Sequence, residues 1–97
     1  MARYVVLLNL TGGGIAAVKD SAAWAEAFHT SAAKAGATVE ALFWTLGLYD
    51  AMFILDAPDE ATATALVLEI DKRNNLRSCM LRAFSTEEFS KIMGKVP

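Results

Sequence analysis

The chain has 97 residues, 55% of them apolar, and a formal net charge of −2. That length suits a single domain, residues 1–97, with one hydrophobic core, and the charge disfavours a phosphate backbone as partner, so nucleic acid is not expected. No apolar run approaches the roughly 18 residues of a membrane span, and the lone Cys79 excludes an intrachain disulfide.

The first strand is read over Arg3 to Leu10, rich in aliphatic and β-branched residues without strict alternation, as for a central strand covered on both faces. Arg3, "YVVLLNL" and "GIAA" have a faint secretory look, but the apolar stretch is short, holds Asn9 and ends in Gly12, Gly13 and Gly14. It is read as a strand of a cytoplasmic protein. Ile15 to Val18 suits a turn of helix, and a longer helix follows from about Ser21 to Ala35, capped by Asp20 or Ser21. Trp24, Phe28, Ala32 and Ala35 share one face at helical spacing, and Gly36 stands where a C′ glycine belongs.

Strands are expected over Thr38 to Thr45 and Tyr49 to Asp56, joined at Gly47-Leu48 as a two-residue hairpin with glycine first. Ala57-Pro58-Asp59-Glu60 opens the second main helix, with Pro58 at N1 and acids in the first turn. This helix runs to about Lys72, its apolar face formed by Ala63, Leu66, Val67 and Ile70, with Leu68 left on the far side. Arg73-Asn74-Asn75 makes a polar turn, and Leu76 to Phe84 is the fourth strand. Ser85 and Glu88 have capping-box spacing before a short helix that ends at Met93 and Gly94. Phe89, Ile92, Met93 and Val96 stripe its side. Lys72, Arg73, Arg77 and Arg82 gather late in the chain and read as a solvated edge.

The order β-α-β-β-α-β plus a short helix is that of the split βαβ, or ferredoxin-like, α+β fold. It implies an antiparallel four-stranded sheet in spatial order 4-1-3-2, with both main helices on one face. Counting outward from the hairpin, Trp44 faces Ala51, Phe43 faces Met52, and Leu42 faces Phe53. Leu42, Trp44, Phe53 and Leu55 then share one face and Ala41, Phe43, Met52 and Ile54 the other. Both faces are apolar, and two helices cover only one. Burying even ~600 Å² of the other is worth roughly 15 kcal/mol before association costs, so the second face is expected to meet another copy. The C-terminal helix, with its short stripe, is expected to cover only part of it.

"TLGLYDAMFILDAPDEATA" resembles the Gly-x-Tyr-Asp stretch of the GYD domain family and the strand and helix that follow it. "LRAFSTEEFSKIM" is similar to that family's end, and "YVVLLNLT" with "GIAAVKDS" to its beginning. The glycines at 12–14 depart from the polar residues usual there. The resemblance implies a ferredoxin-like fold related to dimeric α+β barrels, with Gly47, Tyr49 and Asp50 as the motif positions, and it brings no catalytic residue with it.

Candidate site residues each have two readings. Asp50 fastens the hairpin end through Thr45 or nearby N–H groups, or it serves as a base or ligand contact at the end of an apolar cavity. Tyr49 buries its ring with a wet hydroxyl, or it joins Asp50 in that site. His29, the only histidine, lies at the edge of the Trp24/Phe28 stripe with no partner at catalytic spacing. Gly12-x-Gly14-x-x-Ala17 formally matches a dinucleotide fingerprint, but the hairpin after the second strand breaks the βαβ context it requires. What survives is an anion held by loop N–H groups of Gly12, Gly13 and Gly14. Cys79 is expected to be a buried, inert packing residue. No Cys/His cluster has metal spacing, and no metal or cofactor is expected.

The reading these residues favour is a homo-oligomeric, non-enzymatic module, with a small apolar or carboxylate molecule as a possible ligand. The alternative is a cofactor-independent isomerase- or oxygenase-like enzyme of the dimeric α+β barrel type, with its cavity near Tyr49, Asp50 and His29.

Overall fold

Along the strand Ala2–Leu10 (β1), Tyr4, Val6 and Leu8 are buried while Val5 and Leu7, between them, are half-buried. That alternation sets one sheet face against helices and leaves the other open. The computed structural model describes residues 1–11, 21–74 and 76–97. After β1 come α1 (Ser21–Lys34), β2 (Thr38–Trp44), β3 (Ala51–Ala57), α2 (Glu60–Asn74), β4 (Leu76–Ala83) and α3 (Thr86–Met93). The sheet order is β2-β3-β1-β4 and every neighbouring pair is antiparallel, which is the ferredoxin-like arrangement expected from the element order. Gly12, Gly13, Gly14, the helical turn over Ile15 to Val18, the Asp20 cap and Asn75 lie outside the described residues.

The core fills the space between α1, α2 and the covered face. Phe28 and Ala32 of α1, and Ala63, Leu66, Val67 and Ile70 of α2, are buried against Val6, Leu8, Phe53 and Leu55. Phe28 and Phe53 meet with ring centroids 4.8 Å apart, and Trp24 meets Trp44 edge-on at 5.3 Å. Leu68 is exposed, as its position on the helix demands. Ala35 is exposed too: α1 stops one residue earlier, so Ala35 leaves the apolar stripe.

The helix ends obey local chemistry. Gly36, at φ 79°, closes α1. Its N–H donates to the Ala33 carbonyl at 3.1 Å, and that of Ala37 to Ala32 at 2.8 Å, the paired bonds of a Schellman cap, with Ala37 and Ala32 both buried beneath it. At α2 the N-cap is Asp59: the Thr62 N–H donates to its Oδ1 at 2.7 Å. Pro58 therefore sits one residue before the cap and not at N1, because the carboxylate that can accept from the first turn sets the start. Ser85 and Glu88 form the full capping box of α3, each side chain accepting from the other's backbone N–H.

The β2–β3 register is the expected one, with Trp44, Phe43 and Leu42 opposite Ala51, Met52 and Phe53. Two details differ. The ladder stops at Trp44 and Ala51, so Tyr49 and Asp50 belong to the connection and not to β3. A bulge between Val39 and Ala41 inserts Glu40, which lets Val39 join Leu42 on the covered side.

On the open side the register lays down two cross-strand rows. Ala41, Ile54, Val5 and Leu81 form one; Phe43, Met52, Leu7 and Cys79 form the other. None of these is buried, and Phe43, Leu81 and Cys79 are exposed. Cys79 is thus not a core residue: β4 is an edge strand, and Cys79 faces away from the helices. An ion pair rims the rows where Arg3 grips Asp56 with two hydrogen bonds, 2.8 and 3.0 Å. α3 has no buried residue.

Gly36→Ala should destabilise the fold by about 1–2 kcal/mol in urea denaturation: a methyl there meets nothing within 4 Å, so the cost is that of the left-handed backbone. Acid should also erode stability. The Arg3 hydrogen bond holds the Asp56 carboxyl below its ordinary value, and backbone N–H donors from Thr62 and Ser85 do the same for Asp59 and Glu88. Carboxyls depressed by folding stabilise fully above their unfolded values of about 4, and that contribution is lost as pH falls through the lower folded ones. Urea midpoints should fall across that range, and less steeply in the double variant Asp59→Asn, Glu88→Gln.

Candidate functional site

β1 outruns β3 by two residues, and this overhang positions Asp50. The last β1–β3 partners are Leu8 and Ala51. Beyond them the Asp50 N–H donates to the Leu8 carbonyl at 2.8 Å, and Asp50 Oδ2 accepts from the Leu10 N–H at 2.8 Å. The side chain thus supplies the acceptor that the missing strand residue would have supplied. On the other edge the Asp50 carbonyl accepts from the Thr45 N–H at 2.9 Å. Asp50 therefore ties β1, β2 and β3 together at one end of the sheet, which explains a carboxylate set among apolar runs.

The rest of the connection serves the same turn. The Thr45 hydroxyl donates to the Tyr49 carbonyl at 2.6 Å. Gly47, at φ 121°, takes a conformation side-chain-bearing residues rarely adopt. Leu46 and Leu48 on either side are exposed, and Tyr49 is half-buried. Trp44, half-exposed against Trp24, closes the α1 side of this end.

His29 is exposed on α1 and has no place in this knot. The loop of Gly12, Gly13 and Gly14 lies outside the described residues. Among the described residues, open grooves of about 450 Å³ lie between α1 and α2, lined by Ser31, Lys34, Thr62, Leu66 and Glu69, and along α3, lined by Phe84, Phe89, Ser90 and Met93. Neither is lined by Tyr49, Asp50 or His29. Among the described residues no three His, Cys, Asp or Glu side chains converge as metal ligands would, and no helix is long and apolar enough to cross a membrane.

Sequence spacing gave no sign of two further polar contacts. Ser78 donates its hydroxyl to Asp71 Oδ2 at 2.6 Å, joining α2 to β4, while Asp71 Oδ1 is buried without a hydrogen-bond partner among the described residues. Arg82 lies 4.4 Å over the Phe84 ring and 5.6 Å from that of Tyr4, donates to the carbonyls of Arg3 and Ala83, and has its guanidinium 3.9 Å from Glu88. The contacts of Arg82 with Tyr4 and with the Arg3 carbonyl join groups far apart in sequence that the β1–β4 register brings together.

The family profile of the GYD domain matches residues 4–93. The chain belongs to the GYD domain family. Comparison with curated proteins gave no match. In this GYD domain the glycine and the aspartate of the Gly-x-Tyr-Asp letters at 47–50 have a structural account, while the Tyr49 position serves the turn through its backbone. Gly47 permits the bend, Tyr49 offers its carbonyl to Thr45, and Asp50 closes the ladder.

Asp50→Ala should cost about 1–3 kcal/mol in urea denaturation, because the Leu10 N–H, at a part-buried bond, loses its partner. Asp50→Asn keeps an acceptor oxygen and should cost less.

Proposed function

We propose that this GYD domain works as a self-associating, non-enzymatic module, two copies meeting through the open sheet face. One observation carries the reading: both central rows of that face are apolar across all four strands, from Ala41 and Phe43 at one edge to Leu81 and Cys79 at the other. The described helices do not bury it. Strands about 4.8 Å apart and rows spanning roughly 13 Å give each copy on the order of 250–400 Å² there. Burying ~600 Å² in total gains roughly 15 kcal/mol, against association costs of about 4–15 kcal/mol. The gain exceeds the cost over most of that range and only matches it at the upper end, so the strength of association depends on what else is buried alongside this face. A two-fold arrangement uses the same patch twice and closes without leaving a sticky face free.

A molecule admitted between two such faces would be small and apolar. Their two central rows carry no cation to hold a carboxylate; Arg3, paired with Asp56, stands at one rim and Arg77, opposite Asn9, at the other. The enzyme reading gains no support from Asp50, whose Oδ2 serves the Leu10 N–H, or from His29, which is exposed on the outer layer.

Sedimentation at micromolar concentration should give a dimer or higher homo-oligomer. Ile54→Lys and Leu81→Lys, both placed on the open face, should each weaken association at least tenfold while far-UV circular dichroism is kept. Cys79 offers a label-free check: its thiol should react slowly with a disulfide reagent in the assembly and faster on dilution or in Leu81→Lys. A wild-type chain that sediments as a monomer with a fast Cys79 would overturn the reading.

A further inference from the structure

We infer that α3 is a docking arm whose apolar stripe packs on a second copy of this chain and completes the interface begun by the open sheet face; this rests on the association proposed above. The stripe is the best-segregated apolar surface among the described helices, yet α3 buries nothing. Phe84, Phe89, Met93 and Val96 are 46–58% exposed. The molecule is also extended. Its radius of gyration is 14.5 Å and its longest dimension 49 Å, where a compact chain of this length would have a radius of about 12.5 Å.

The choice of a second copy follows from area and from anchoring. A stable interface takes about 800 Å² from each partner, and the two sheet rows supply on the order of 250–400 Å². Four half-exposed large side chains at roughly 80–100 Å² each add about 320–400 Å², which brings the total to about 570–800 Å² and into the range of a stable interface. Folding back onto the same chain's open face is opposed by the root of the arm. The capping box fixes the first turn, and Arg82 ties Phe84 and Glu88 to the Arg3 carbonyl of β1. Swinging α3 over its own sheet would require these contacts to be released together. The groove along the arm, lined by Phe84, Phe89 and Met93, is where the partner's apolar side chains would seat.

The test compares four full-length proteins by sedimentation velocity over a dilution series: wild type, Phe89→Glu/Met93→Glu, Leu81→Lys and the outward-facing control Leu68→Glu. The arm variant should dissociate at concentrations at least tenfold above wild type with unchanged circular dichroism, and the control should match wild type. Amide exchange of α3 should slow as wild-type concentration rises, because the cover is another molecule. If the arm variant associates like wild type while Leu81→Lys does not, the arm inference fails and the sheet-face reading stands. A monomeric wild type sinks both. Concentration-independent protection of α3 would mean that the arm covers its own chain. Co-sedimentation with phosphatidylcholine–phosphatidylglycerol vesicles, lost in the arm variant while its self-association is unchanged, would assign the stripe to a lipid surface instead. Either result overturns the proposal.

Discussion

A β-sheet has two faces, and this chain provides two long helices for one of them. Side chains alternate strictly along a strand, so whatever packs α1 and α2 onto Tyr4, Val6, Leu8, Phe53 and Leu55 necessarily turns Val5, Leu7, Met52 and Ile54 the other way. Had those outward positions been polar, the domain would be complete as a single chain. They are apolar in two unbroken rows, and the stability gained by keeping them dry is available only through contact with something else. The self-association proposed for this domain rests on this imbalance.

Polar groups mark the perimeter of that imbalance. Arg3 and Asp56 fasten one end of the open face, and Arg82 fastens the last strand to the arm. At the far end Asp50 substitutes its side chain for a strand residue and seals the ladder where β3 is shorter than β1. An acid beside apolar sequence is often the mark of a catalytic group. Here the same carboxylate is spoken for by backbone N–H geometry, and the letters that give the family its motif describe a turn and its clasp.

Local signals were legible because local chemistry causes them. The Gly36 cap, the Ser85–Glu88 box and the register from Trp44 to Phe53 depend on residues within a few positions of one another, or on a count outward from one turn. The errors arose where a distant partner decides. The start of α2 is the exception: Asp59 accepts from Thr62 only three residues on, and Pro58 misleads because it is as well suited to N1 as Asp59 is to the cap. Cys79 reads as packing until the sheet order makes β4 an edge strand and the register puts Cys79 opposite Leu7 on the open side. The Glu40 bulge, which brings Val39 onto the covered face, depends on where β2 must meet β3.

By itself, the sequence determined the element order, the fold class, the membership of three separated segments in one family and the existence of two apolar sheet faces, because periodicity and turn chemistry act over short distances. Only the tertiary structure decided which face stays open, that Asp50 reaches Leu10 across 40 residues of chain, and that α3 buries none of its residues. Those outcomes are set by the competition between strand lengths, register and anchoring contacts such as that of Arg82 with the Arg3 carbonyl, whose members lie far apart in sequence and meet only when the sheet is assembled.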